Sequence, residues 1–129
     1  MASSFILFTP EQKGILGNLD EDGVVTFAIA AGEGASIRGT EMFNRMMQHF
    51  GDEVRAIHGV WRKYYPDRIS TNVDKVNELT TMGIPLEEAI RHAWTTTRAF
   101  KLGFTRAKVI GDTEGVPGAF SKIDVLIER

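Results

Sequence analysis

The chain has 129 residues, 43% hydrophobic and 25% charged, with a formal net charge of -2 and no cysteine. That length fits one domain, residues 1–129, large enough to bury a core without staples. The near-neutral charge argues against nucleic-acid binding by bulk electrostatics, and the absence of cysteine excludes disulfides, thiolate nucleophiles and thiolate metal sites.

Phe5-Ile6-Leu7-Phe8 is a short apolar run stopped by Thr9-Pro10, and it reads as a strand. It is too short for a signal sequence or a membrane span. Gly14–Leu19 and Val24–Ile29 flank Asp20-Glu21-Asp22-Gly23. An Asp-Gly step supplies the backbone that tight hairpins require, so these segments predict a β-hairpin. Within 40–50, Met42, Phe43, Met46, Met47 and Phe50 fall at helical spacing, with Gly51 as a left-handed stop. Residues 54–61 read as the next strand.

Trp61 to Arg68 is basic and aromatic and predicts a surface loop: Trp61, Arg62, Lys63, Tyr64 and Arg68 form a candidate binding surface. Ser70-Thr71-Asn72 offers capping oxygens to a helix carrying Val73, Val76 and Leu79 that ends near Met82-Gly83. Pro85 suits the first position of another helix, running through Leu86, Ala89, Ile90, Ala93 and Trp94 toward Gly103. Trp94 is expected in the core, beside the threonines at 95–97. Residues 104–110 and 120–127 predict a closing hairpin. The whole is an α/β (α+β) domain: a mixed, mostly antiparallel sheet, a central parallel βαβ pair over 24–61, and a C-terminal β-hairpin.

The segment between strand 24–30 and helix 40–50 carries the chemistry. A helix N-terminus presents unpartnered N–H groups and partial positive charge, and a small-residue entry admits a phosphate. Ile37, Arg38, Gly39 and Thr40 are therefore the candidate anion-binding residues; the alternative is a tight turn in which Ser36 or Thr40 caps the helix and Arg38 is solvated. His58, mid-strand, is a candidate proton acceptor. No histidine or carboxylate spacing suits a metal, so none is expected.

The succession of Val24–Met47, the parallel strand 54–61, Asn72 and the Gly103-Phe104 step resembles the GNAT superfamily of acyl-CoA-dependent N-acyltransferases. Aligned on Gly39, the family's pyrophosphate-loop positions fall on Gly34, Ile37 and Gly39, and only the last agrees; the family's tyrosine acid falls on Ala99. The resemblance implies an acyl-CoA-type transferase or a degenerate relative. Residues 37–40 would hold the pyrophosphate of acetyl-CoA or another acyl-CoA. The cleft would be flanked by Ile29 and Ile57 or His58, with Asn72 near its entrance. A second, local resemblance joins 37–47, Ile57-His58-Gly59-Val60-Trp61, 77–79, 87–89, 94–96 and Gly103-Phe104. It is to C-terminal domains of bacterial polymorphic toxins of the Rhs or filamentous-haemagglutinin type. That implies a cytoplasmic domain, or one secreted with a toxin and acting in a target cytoplasm. The alternative is a non-catalytic binding or inhibitor module working through 61–68 and helices 72–102. A protein partner or acceptor is expected, with no nucleic acid and no membrane, and a homodimer stays open.

Overall fold

Six strands and four helices account for most of the residues that the computed structural model describes, which are 3–31, 34–63 and 70–129. The strands are β1 (Ser3–Phe8), β2 (Gly14–Leu19), β3 (Val24–Ala30), β4 (Ala56–Arg62), β5 (Arg106–Val109) and β6 (Lys122–Glu128). The helices are α1 (Gly39–Phe50), α2 (Thr71–Thr81), α3 (Leu86–Ala89) and α4 (Trp94–Lys101). The strands form one sheet in the order β1-β2-β3-β4-β6-β5. β3 and β4 run parallel through Val24↔Ala56 and Val25↔Ile57, whereas β1–β2, β2–β3 and β5–β6 are antiparallel. The expected α+β class, parallel pair and C-terminal hairpin are all present. The chain divides into two units, residues up to Ile57 and from His58 onward.

In the first unit, the Asp20–Gly23 turn closes as its sequence predicts. The Asp20 carboxylate accepts from the backbone N–H of Asp22 and Val24, and Gly23 takes a positive φ of 81°. Period-2 alternation turns Ile15, Gly17 and Leu19 to the inner face of β2 and Val25 and Phe27 to that of β3. Onto this face α1 lays Met42, Phe43, Met46, Met47 and Phe50, all buried. The Phe27 and Phe43 rings stand 5.5 Å apart. Gly17 is small because Met46 and Phe50 occupy the space a side chain would fill. Each fully buried large side chain here contributes about 1.5–3 kcal/mol, and the flexible methionines fit the irregular gaps. Gly51 has positive φ, as expected, but its ψ of -139° is not helical; it opens a 3-10 turn, Gly51–Glu53, rather than a left-handed cap.

In the second unit, Ile123, Val125 and Ile127 of β6 are fully buried, as are Val76 of α2 and Ala89, Ile90, Ala93 and Ala99 between α3 and α4. Helices α2 and α4 end alike. The N–H of Ile84 reaches the carbonyl of Leu79 while Gly83 reaches Thr80, and Phe104 reaches Ala99 while Gly103 reaches Phe100. These are Schellman closures, and both glycines carry the positive φ that the motif requires.

The single helix expected after Pro85 is two. Pro85 caps α3, a 3-10 turn follows at Ile90–His92, and Ala93 is extended (φ -67°, ψ 156°) before α4 starts. Threonines crowd a helix interior but are tolerated in a first turn, and the break places Thr95 and Thr96 there. It also leaves Trp94 half-buried rather than in the core. Its ring is instead covered by the Arg98 guanidinium, 4.5 Å from the centroid.

Candidate functional site

The connection from β3 into α1 ends on Arg38, which occupies the cap position in extended conformation (φ -73°, ψ 152°). Its carbonyl takes the first helical bond, from Met42 N–H at 3.0 Å, while its side chain makes no cap. Ser36 does not cap the helix either: its hydroxyl donates to Glu11 at 3.4 Å. Ile37 and Gly39 are half-buried, whereas Arg38 and Thr40 are exposed. Gly34, further back in the connection, has φ 86°. Gly32 and Glu33 lie outside the described residues.

Arg38 and Thr40 open a surface depression that continues along the outer face of α1 past Glu41, Asn44, Arg45 and Gln48. Glu41 is held by Arg45 at 3.1 Å, one helical turn away, so its negative charge is locally balanced. The helix-terminal field and the exposed Arg38 guanidinium therefore dominate at the mouth of the depression. This arrangement can receive an oxyanion through backbone N–H groups and one planar, bidentate cation.

A second depression lies between the hairpin turn and the end of α1, lined by Asp20, Glu21, Asp22, Asp52, Glu53 and Arg55. Among the described residues no group of histidines and carboxylates is disposed to hold a metal ion. Nor is any helix long and apolar enough to cross a membrane.

The other expected site residues lie in the second unit. His58 is half-buried on β4, and its Nε2 is buried without a hydrogen-bond partner among the described residues. Trp61, expected on a binding surface, turns inward by strand alternation and is 6% exposed, its indole lying over Gly59. Arg62 is exposed. Lys63 forms an ion pair with Asp74 of α2, and its backbone N–H donates to the carbonyl of Ser121. Tyr64 and Arg68 lie outside the described residues.

Asn72 is committed on both sides of its amide. Its Oδ1 accepts from the backbone N–H of Thr95, and its Nδ2 donates to the Thr95 hydroxyl, both at 2.9 Å. It thus caps α4 from α2, where Ala93 has no side-chain acceptor to offer.

Several residues that no sequence pattern singles out do comparable work. Asn77 receives the N–H of Phe120 at 2.7 Å and donates to its carbonyl at 3.1 Å. Thr80 accepts from Gly118 N–H at 2.8 Å while donating to the carbonyl of Val76. On β6, Asp124 interrupts an apolar run, and its Oδ1, like the Thr96 hydroxyl, is buried without a hydrogen-bond partner among the described residues. The lone acid inside Ile123-Asp124-Val125-Leu126-Ile127 was the sequence signal for it. No family model, curated protein or solved structure matches this chain.

Proposed function

We propose that the chain is an acyl-CoA-dependent N-acyltransferase-like domain, a degenerate relative of the GNAT type, in which residues 37–40 receive the coenzyme A pyrophosphate. One observation carries the reading: β3 leads through a short connection to Arg38-Gly39, which opens a 12-residue helix beside a depression. Backbone N–H groups, the helix dipole and an exposed guanidinium then converge where a diphosphate would sit. The reaction is direct attack of an amine on the thioester carbonyl: a C–N bond forms, the C–S bond breaks to release coenzyme A as its thiolate, and the amine's proton leaves to a base and ends on that thiolate. With no cysteine in the chain, an acyl-cysteine intermediate has no place. In the polymorphic-toxin setting that the local resemblance implies, the domain would act in the cytoplasm of a target cell.

Asn72 favours the rival, a non-catalytic binding module, for its own part of the molecule, because both functions of its amide serve the α4 cap. Calorimetric titration with coenzyme A and acetyl-CoA decides between the two. The transferase reading expects saturable binding, lost in Gly39→Glu, which adds charge and bulk at the helix entrance but suits the helix dipole. Arg38→Ala should weaken binding about tenfold or more, the worth of a charge-assisted hydrogen bond. Absence of heat and of thermal stabilisation at millimolar ligand would sink it.

A further inference from the structure

We propose that the free edge of β1 pairs with the same edge of a second copy of this chain, joining two sheets across a twofold axis. This goes beyond the cofactor reading and does not depend on it.

Among the described residues the strand order leaves two edges, β1 and β5, and they are built differently. β5 is four residues long and carries two exposed basic residues, Arg106 and Lys108, the latter paired with Glu128 of β6 at 3.3 Å, so a like strand laid beside it would have to accommodate charged side chains. That is the usual protection of an edge. β1 has six residues, Ser-Ser-Phe-Ile-Leu-Phe, with neither a charge nor a proline. Ile6 is 59% exposed and Phe8 66%. Across the β1–β2 ladder Ile6 faces Leu16, itself 42% exposed, and Phe8 faces Gly14. A Cβ on Gly14 would stand 2.5 Å from Cδ1 of Phe8, so the absent side chain is what lets the ring lie on the sheet. An apolar strip therefore runs along an unprotected edge. The opposite face of β1 is engaged, with the Phe5 ring 5.1 Å from His49 of α1.

A second copy is the occupant these features suit. Residues directly opposed in an antiparallel pair share a face, so a twofold pairing in which the outer faces are continuous sets Ile6 and Phe8 of one copy against Ile6 and Phe8 of the other. The edge carries no charge with which to select a foreign strand, and none that repels its own kind. The net charge of -2 leaves little long-range repulsion between copies. The strip is small, so the dimer belongs to the weak end of the interface range, with a Kd of order 100 µM.

Sedimentation velocity on the full chain, from roughly 10 µM to 1 mM around that Kd, tests this. The weight-average mass should rise from 14.3 kDa toward twice that value. Ile6→Lys and Phe8→Lys, checked by thermal melting to remain folded, should each weaken association about tenfold or more by setting like charges across the dyad. With Ile6 of one copy opposite Phe8 of the other, Leu7 lies on the dyad opposite itself; since the chain lacks cysteine, Leu7→Cys provides a single thiol that should cross-link on oxidation, whereas Lys108→Cys on the other edge should not. A monomer throughout the range overturns the proposal, even if the edge captures a foreign peptide. So does a dimer indifferent to both lysine variants, or equal cross-linking from the two edges.

Discussion

Asn72→Ala tests whether this residue is a structural clamp. In the native protein its amide satisfies the N–H and the hydroxyl of Thr95, and Thr95 is 2% exposed. Losing the cap on α4 should cost about 1 kcal/mol. Stranding the buried Thr95 hydroxyl adds about 1–3 kcal/mol. The two losses share one partner and do not simply add, so the expected destabilisation is about 2–3 kcal/mol. Asn72→Asp keeps an acceptor for the N–H and can accept the Thr95 hydroxyl proton, so it should lose less than about 1 kcal/mol. Urea denaturation followed by Trp fluorescence and far-ultraviolet circular dichroism reads both variants, since Trp94 opens α4. An alanine variant within about 0.5 kcal/mol of the parent would refute the clamp, as would an aspartate variant as weak as alanine.

Two further expectations rest on separate contacts. Gly59→Ala places a methyl against the Trp61 indole, a rigid buried ring, and should destabilise by about 1–3 kcal/mol in chemical denaturation; unchanged stability would mean that the ring has room to move. Desolvation pushes the Glu11 carboxyl up, but hydrogen bonds from the Ser36 hydroxyl, the backbone N–H groups of Glu11 and Ser36, and the Thr9 hydroxyl together hold it below its ordinary value. A depressed carboxyl contributes stability that is present above its unfolded value and is lost as pH falls through the folded one. Because Glu11 is fully exposed, the contribution to stability is slight, and NMR titration of the carboxyl is the proper readout. Ser36→Ala should move that titration upward, and an unmoved one would remove Ser36 from the account.

The strand–connection–helix over residues 24–50 was legible because it is local. Strand, small-residue entry and amphipathic helix are all encoded within residues 24–50, and the structure puts Arg38 and Thr40 at the mouth of a depression. The cap was not legible. Ser36 and Thr40 are the residue types that cap helices, but Ser36 is drawn to Glu11, far away in sequence, and Arg38 takes the position by backbone conformation alone. Trp61 reads as a surface aromatic in a basic stretch. The strand expected over 54–61 is observed as Ala56–Arg62, one residue past Trp61, and its alternation turns the ring inward.

By itself the sequence determined the parts whose signals are short-range: the Asp20–Gly23 hairpin, the apolar stripe of α1, the glycine stops at 83 and 103, and the closing hairpin. These follow from periodicity and from backbone conformations that few residues tolerate, so a window of neighbours suffices. Tertiary structure decided where the polar side chains of the second unit spend their hydrogen bonds. Asn72, Asn77 and Thr80 look like an ordinary solvated helix face, yet they bind Thr95, Phe120 and Gly118, up to 43 positions away. A buried N–H must find an acceptor wherever the fold provides one, and only the folded chain says which acceptor is near. The same need explains why the helix expected over 86–100 breaks at Ala93: Asn72 supplies the cap that lets a new helix begin.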